Sequence, residues 1–344
     1  MDKLRKKIIL FTDAWQPQVN GVVRCVEVVR DFLEKDNFNV IVVHPGDFKS
    51  YSLSIYPEIK FATFTKSKIS KIIKDEKPDF VHIFTEGPIG FTARSVCLKQ
   101  GVKFTTSHHT NFQYYIEHYI KIRLPIIFKS VYAYLKWFHN ASNNTMVITE
   151  SIKRNLEKRG FLHLSLWTLG VDLDLFKRNE NSNIKNQYKL QSPLFVYFGR
   201  NYRKKNLEEY LKLDLPGTKL VIGGGPMKDK LEKKYGKTNI FLGYKKGQEL
   251  VDFLSVCDVF VFPSKTDIFP LSIIEAFACG LPVAAHNVMD LNELVKEGVG
   301  FLDEDLKIAS IKCLNIPREN CRNYALGYSW ENSVKYFKEN LVSN

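Results

Sequence analysis

Two acidic residues, Asp267 and Glu275, stand eight positions apart in SKTDIFPLSIIEAFACG (264–280). A strand-like run precedes them and a helix is expected from about Leu271, so Asp267 falls in a loop and Glu275 one turn into the helix. Carboxylates placed in this way can accept hydrogen bonds from different hydroxyls of one extended ligand, such as a sugar or a ribose. Two acids at this spacing are also common by chance, so they need partners. Upstream, FGRNYRKKNLEEYL (198–211) sets Arg200 just after a strand and Lys205 near the start of the next helix. A guanidinium and an ammonium beside helix amides make an anion site, and a diphosphate fits it. Solvated basic residues in a turn are the plainer reading, but Arg200, Arg203, Lys204 and Lys205 are crowded enough that their repulsion calls for an anion. A third segment, KLVIGGGPMKDKLEKKYG (219–236), runs from a strand through Gly223–Gly225 to Pro226 at a helix start. Such glycines allow a backbone to approach a ligand, and equally they make a tight turn.

Two other clusters invite a metal reading. Asp172 and Asp174 in VDLDLF imitate a D-x-D metal motif. His108 and His109 are adjacent, and consecutive side chains diverge in an extended segment. With no H-x-x-x-H spacing and no neighbouring carboxylate in the sequence, no metal site is expected.

The elements that carry these residues alternate between short apolar runs and longer helix-like stretches. KIILFT (7–12), FNVIVVHP (38–45), FVHIF (80–84), KFTTSH (103–108) and TMVIT (145–149) read as buried parallel strands. Val22–Lys35 and Thr92–Gln100 read as helices between them. A polar stretch at 177–192 reads as a linker, and a second series follows: PLFVYFG (193–199), KLVIGG (219–224), NIFLG (239–243), DVFVFP (258–263) and LPVAA (281–285). The expected fold is α/β, with two Rossmann-like domains facing each other across a cleft, and ligands binding beyond the carboxyl ends of the strands.

The bulk composition limits the function. At 344 residues the chain exceeds what one core usually serves, and 44% apolar with 25% charged residues is ordinary for a folded protein. Six scattered cysteines form no C-x-x-C pair, which fits a reducing cytoplasm, and no run is long enough to span a membrane. The net charge of +13 favours anionic partners, whether nucleic acid, lipid surface or phosphorylated small molecules. No nucleic-acid motif or dinucleotide fingerprint is present. The segment YIEHYIKIRLPIIFKSVYAYLKWFHN (115–140) mixes Lys121, Arg123, Lys129 and Lys136 with aliphatic and aromatic residues including Trp137. Lys129 and Lys136, seven apart, share a helix face suited to an anionic bilayer, although such a helix more often packs on its own core.

The whole chain resembles a retaining glycosyltransferase of the GT-B group, family 4 (glycosyl transferases group 1). That family carries an E-x7-E motif, a G-R-x(3–4)-K-N segment and a glycine-rich strand end. The matching segments are GRNYRKKN, VIGGGP, NIFLGY and FPSKTDIFPLSIIEAFACGLPVAA, and earlier FTDAWQPQVNGVVR, TEGPIG, SHHTNF and TLGVDLDLF, all in the family's order. The resemblance implies that Arg200 and Lys205 hold the donor diphosphate, Glu275 the ribose and Asp267 the transferred sugar. It places His109 near the sugar's C6 end, Gly21 in a loop closing over the phosphates, and the Tyr244 backbone at the base. It sets Asp172 and Asp174 in a G-V-D turn at the end of the first domain, and not in a metal site. Gly224, Gly225, Ile268, Phe269, Pro270 and Leu271 would line the donor site. Two departures stand out: Asp267 replaces a glutamate, and I-F-P replaces the usual G-F-G, so Pro270 has no amide to offer.

By the same resemblance, residues 1–176 form the acceptor- and membrane-facing domain, 177–192 a linker, 193–325 the donor domain, and 326–344 a helix crossing back to the first domain. The pattern is closest to bacterial enzymes that glycosylate diacylglycerol. That implies a UDP-sugar donor, UDP-glucose or UDP-glucuronate, a lipid acceptor, no metal or other cofactor, and a cytoplasmic protein peripheral on the inner face of the membrane. A GDP-mannose-dependent mannosyltransferase and a non-catalytic nucleotide-sugar-binding module are the alternatives.

Overall fold

Chain segments that bury both faces of a sheet must be apolar throughout, and the central strands obey this. The computed structural model describes residues 5–18, 20–53, 56–109, 125–267 and 269–344. These form two compact units, one comprising Met1–Thr168 with Ser333–Asn344, the other Leu169–Asn332.

In the first unit a six-stranded sheet has the order β2-β1-β5-β6-β7-β8, with every pairing parallel. Its strands are β1 (Lys7–Phe11), β2 (Asn39–Val43), β5 (Phe80–Ile83), β6 (Thr105–His108), β7 (Asn144–Val147) and β8 (Leu164–Leu166). A separate antiparallel pair, β3 (Ser50–Leu53) and β4 (Tyr56–Ala62), was not expected from the sequence, nor was β8. The helices are α1 (Gly21–Lys35), α2 (Thr65–Glu76), α3 (Pro88–Gln100), α4 (Pro125–His139) and α5 (Glu150–Lys158). Helix α1 starts where the Asn20 side chain accepts from the amides of Val22 and Val23, both at 3.0 Å, and it buries Val23, Val26, Val29 and Leu33 against the sheet. Gly21 is therefore the first helical residue of α1 and not part of a loop.

Strand β6 is the exception to the apolar rule. Its sequence is TTSH, and all four residues are buried. β-branched threonine suits a strand, but each buried polar atom needs a partner. The partners are histidines, hydroxyls and the Glu86 carboxylate on neighbouring segments, described below.

The second unit repeats the plan with the order β11-β10-β9-β12-β13-β14, again parallel throughout. Its strands are β9 (Leu194–Phe198), β10 (Thr218–Ile222), β11 (Ile240–Gly243), β12 (Val259–Phe262), β13 (Val283–Ala285) and β14 (Gly300–Leu302). LFVYF and VFVF in the two central strands are buried completely. Burial of each such side chain is worth roughly 1.5–3 kcal/mol relative to exposure. The helices used below are α6 (Leu207–Lys212), α7 (Lys228–Tyr235), α8 (Gly247–Val256) and α9 (Leu271–Ala278).

Two boundaries differ from the sequence reading. The first unit ends at Thr168 and not at 176, and residues 177–192 pack within the second unit. There the Asn179 amide donates to Ser255 Oγ at 2.8 Å, Ser182 Oγ donates to Asp252 O at 2.9 Å, and Leu190 is buried. This segment is held by polar side chains, which leave no hydrophobic period to read. At the far end, Ser333–Asn344 belongs to the first unit. Trp167 Nε1 donates to Ser333 O at 3.0 Å, and the Phe337 ring sits 4.9 Å from that of Trp167.

Candidate active site

In the second unit, three strand ends converge. After β9 the chain passes Gly199 to Arg200, whose carbonyl accepts from the buried Tyr197 hydroxyl at 2.9 Å. After β10 come the three glycines. A Cβ on Gly223, which has φ +128°, would lie 1.9 Å from Gly199 O, and one on Gly224 would lie 2.5 Å from the Tyr244 ring. Packing between strand ends thus requires these glycines before any ligand is considered. Tyr244, just past β11, is 58% exposed and covers Gly224.

Around this floor the cations gather. Arg203–Lys205 form one 3₁₀ turn, ended by Asn206 in the left-handed region. Lys205 Nζ reaches Asp267 Oδ1 at 2.7 Å, with the two side chains only 13% and 18% exposed, and Ser264 Oγ donates to Asp267 Oδ2 at 2.5 Å. Burial pushes the Asp267 carboxyl up, but Lys205, Ser264 and Lys204 together hold it below the usual carboxylate value. Burial and then neighbouring Lys205 lower Lys204, with Arg200 adding to the effect and Asp267 opposing it. The Arg200 guanidinium rests 5.3 Å from the Tyr202 ring centroid. Asp267 therefore faces two cations, Lys205 and Lys204, and Arg200 adds its charge beside Lys204, so positive charge gathers at the carboxyl ends of β9 and β12.

Pro270 caps α9, and Glu275 lies one turn inside it, half-buried. Phe269 and Leu271 pack against the hydrophobic core, so their first role is structural. Ile268 lies outside the described residues.

In the first unit, the carboxyl ends of β1, β5 and β6 carry a buried polar network. Glu86 Oε1 accepts from His108 Nδ1 and from His139 Nε2, both at 3.1 Å. Burial opposes ionisation of Glu86, but the hydrogen bonds and charges of the two imidazoles outweigh it and hold the carboxyl far below its ordinary range. These three ligand atoms lie within 4.8 Å of one another. The sequence reading that no carboxylate stands near the paired histidines is thereby corrected: Glu86 and His139 come to His108 through the fold. Two imidazole hydrogen bonds to one carboxylate oxygen account for the arrangement. His139 Nδ1 in turn contacts Thr106 Oγ1 at 2.9 Å. His109, the first residue after β6, is half-buried, with its ring parallel to that of Phe84 at 6.1 Å. Asp13 sits at the start of α3, accepting from the amides of Ile89 (2.8 Å) and Gly90 (3.3 Å) and from the Thr85 hydroxyl (2.7 Å). Burial nevertheless raises its pKa.

On the same unit, Trp137 of α4 is 47% exposed and bears the Arg94 guanidinium 3.6 Å from its centroid, with exposed Phe91 and Tyr134 at 5.7 and 5.9 Å. Leu135 and Phe138 of the same helix are buried, so α4 packs one face on the core and shows another to solvent. Lys129 and Lys136 are exposed; Lys121 and Arg123 lie outside the described residues.

Residues 178–313 match the model of the family described as "Glycosyl transferases group 1", and residues 19–175 match that of "Glycosyltransferase Family 4". The two cover both units. The chain belongs to glycosyltransferase family 4 and has the GT-B fold.

This glycosyltransferase is 28% identical to the sulfoquinovosyl transferase of Arabidopsis thaliana, over 74% of its own length and 52% of that protein's. It is thus similar to about half of that relative. It is 24% identical to the alpha-monoglucosyldiacylglycerol synthase of Streptococcus pneumoniae, covering 85% of this chain and 73% of that one. It is 21% identical to a GDP-mannose-dependent alpha-mannosyltransferase of Mycobacterium tuberculosis, covering 84% and 81%. Among solved structures, the sucrose-phosphate synthase of Thermosynechococcus elongatus shares the fold at TM-score 0.75 and 18% identity, covering 97% of this chain and 98% of that one. HepE of Anabaena, crystallised with UDP-glucose, does so at 0.70 and 14%, covering 97% and 98%. For the family 4 glycosyltransferase, Asp13, Glu86, His82 and His139 are site neighbours that sequence reasoning did not single out. Asp13 and Glu86 stand in strand-end segments, TDAWQP and TEGPIG, where the strand-end rule could have found them; His82 and His139 lie inside a strand and a helix and gave no such signal.

Proposed function

We propose that this glycosyltransferase moves a hexose or hexuronic acid from a UDP-sugar to a lipid acceptor, diacylglycerol being favoured, at an anionic membrane surface, with retention of configuration. The observation that carries the donor reading is the surplus of cations around Asp267 at the ends of β9 and β12. Arg200 and Lys205 hold the diphosphate, and Lys205 divides its charge between phosphate and Asp267. Glu275 accepts from ribose hydroxyls, the Tyr244 backbone meets the base, and Asp267 and His109 face the transferred sugar. The C1–O bond to the phosphate breaks while the acceptor oxygen bonds C1 on the same face. The acceptor's proton passes to the departing phosphate oxygen. Fixed cations stabilise the charge that develops on the leaving group, so transfer proceeds without a divalent cation, and a chelator leaves the rate unchanged.

The lipid reading is supported by the name of the streptococcal relative and by the exposed Phe91, Tyr134 and Trp137 beside Lys129 and Lys136. Mannosyl transfer from GDP-mannose is the second reading, favoured by the name of the mycobacterial relative. Calorimetric titration with UDP and GDP separates the two donors. UDP is expected to bind more tightly, and Arg200→Ala to abolish the difference from baseline; tighter binding of GDP would overturn the UDP assignment.

A further inference from the structure

Two hydroxyls of the buried strand β6, Thr105 and Ser107, stand in one continuous line of contacts with His82 and His109. Thr105 Oγ1 donates to the carbonyl oxygen of Val81 at 3.4 Å. With its one proton assigned to that carbonyl, it accepts at its 2.8 Å contact with His82 Nδ1. On that assignment His82 carries its proton on Nδ1 and offers a lone pair at Nε2, which accepts the hydrogen bond of Ser107 Oγ across 3.2 Å. Ser107, having given its proton, accepts at its 2.7 Å contact with His109 Nε2. His82 has no second proton to confuse the sequence. It is fully buried, with Phe84, Phe337 and Trp167 rings at 4.5, 4.8 and 6.3 Å, and burial first, then His109, holds it well below the ordinary imidazole value.

We infer that Val81 O, Thr105, His82 and Ser107 form a directional hydrogen-bond relay that fixes His109 as its Nε2–H tautomer and leaves its Nδ1 a bare acceptor, matched to a hydroxyl of the transferred sugar and not to a carboxylate. Thr105, His82 and Ser107 are positioning residues, acting through His109. The sugar clause rests on the placement of His109 proposed above. A lone pair accepts an O–H but repels a carboxylate oxygen. His109 does not take a second proton to receive an acid at neutral pH: burial brings it down to about 4, Glu86 opposing and His108 and His139 adding to the effect. Of the two donors considered, UDP-glucose is therefore preferred to UDP-glucuronate.

The test is long-range proton–nitrogen NMR on the full chain with labelled histidine at pH 7.5, paired with donor kinetics. Wild-type His109 is expected as Nε2–H. Ser107→Ala, which removes only a hydroxyl, is expected to give a mixture of tautomers, a roughly tenfold loss of kcat/KM with UDP-glucose, and weaker discrimination against UDP-glucuronate. Thr105→Val keeps the side-chain shape and breaks the relay at its far end, with the same spectral change expected. A wild-type His109 in the Nδ1–H form, or a His109 signal that neither variant moves, overturns the relay. A tautomer that shifts while kinetics hold upholds the relay and overturns the placement of His109 on the sugar.

Discussion

Lys205 and Asp267 each depend on the other. A buried carboxylate beside Lys205 and Lys204 is stable as an anion, and a buried Lys205 ammonium beside Lys204 needs a counter-charge. Lys205→Ala is accordingly expected to lower turnover by roughly 10²–10³ and, by stranding Asp267, to cost about 3 kcal/mol in denaturant unfolding. Arg200→Ala is expected to lower turnover similarly with little change in stability, since its guanidinium rests on the Tyr202 ring. Near-native rates for both variants at saturating donor would remove the diphosphate assignment. The histidines make a separate prediction about pH. Burial lowers His82, His109 and His139, so the unfolded chain binds protons that the folded chain refuses. Stability is then complete above the unfolded imidazole value of about 6.5 and declines as pH falls from there toward the folded value; for His109 that is about 4. Asp13, raised by burial, acts in the opposite sense at the acid end of this window. Thermal melts from pH 8 to 5 should show the decline, and a flat profile would contradict it.

The strand ends determine which loops can exist. Gly223 combines φ +128° with a 1.9 Å approach to Gly199 O, so Gly223→Ala is expected to destabilise the second unit by more than the roughly 1–3 kcal/mol of a strained backbone alone. Gly243→Ala, at φ +68° but in open space, should cost less. Thermal melts of both variants check the order. Phe337→Ala tests the C-terminal helix: the ring is fully buried against Trp167 and Phe84, and its loss should cost about 3–5 kcal/mol. Most parallel strands were legible because a strand buried on both faces is an unbroken apolar run, as in LFVYF and VFVF. What escaped was held by other means. Residues 177–192 are anchored by Asn179 and Ser182 side chains, and β8, only LSL, is too short to stand out. The cation cluster was visible because Arg200, Lys205, the glycines and Asp267 all lie in loops that follow strands. The Glu86–His108–His139 group was not, because its members lie 22 and 31 residues apart (86 to 108, 108 to 139) and meet only through the sheet.

For the molecule as a whole, the proposed docking on an anionic membrane rests on a net charge of +13 and an exposed aromatic cluster on the first unit; among the described residues no helix is long and apolar enough to cross a membrane. Replacing Lys129 and Lys136 together by alanine is expected to weaken binding to phosphatidylglycerol liposomes by about 2 kcal/mol, roughly 30-fold. Raising salt should weaken the wild type as well, since these charges are exposed. Flotation in which neither change alters the bound fraction would count against docking through α4. The most direct test of the central claim is to incubate the protein with diacylglycerol in anionic liposomes and, separately, UDP-glucose, UDP-glucuronate, UDP-galactose or GDP-mannose, and to read the lipid products by mass spectrometry. A glycosyl-diacylglycerol formed from a UDP-sugar, greatest with UDP-glucose and lost in Arg200→Ala, is the predicted result; product from GDP-mannose alone, or no glycosylated lipid from any donor, would contradict it.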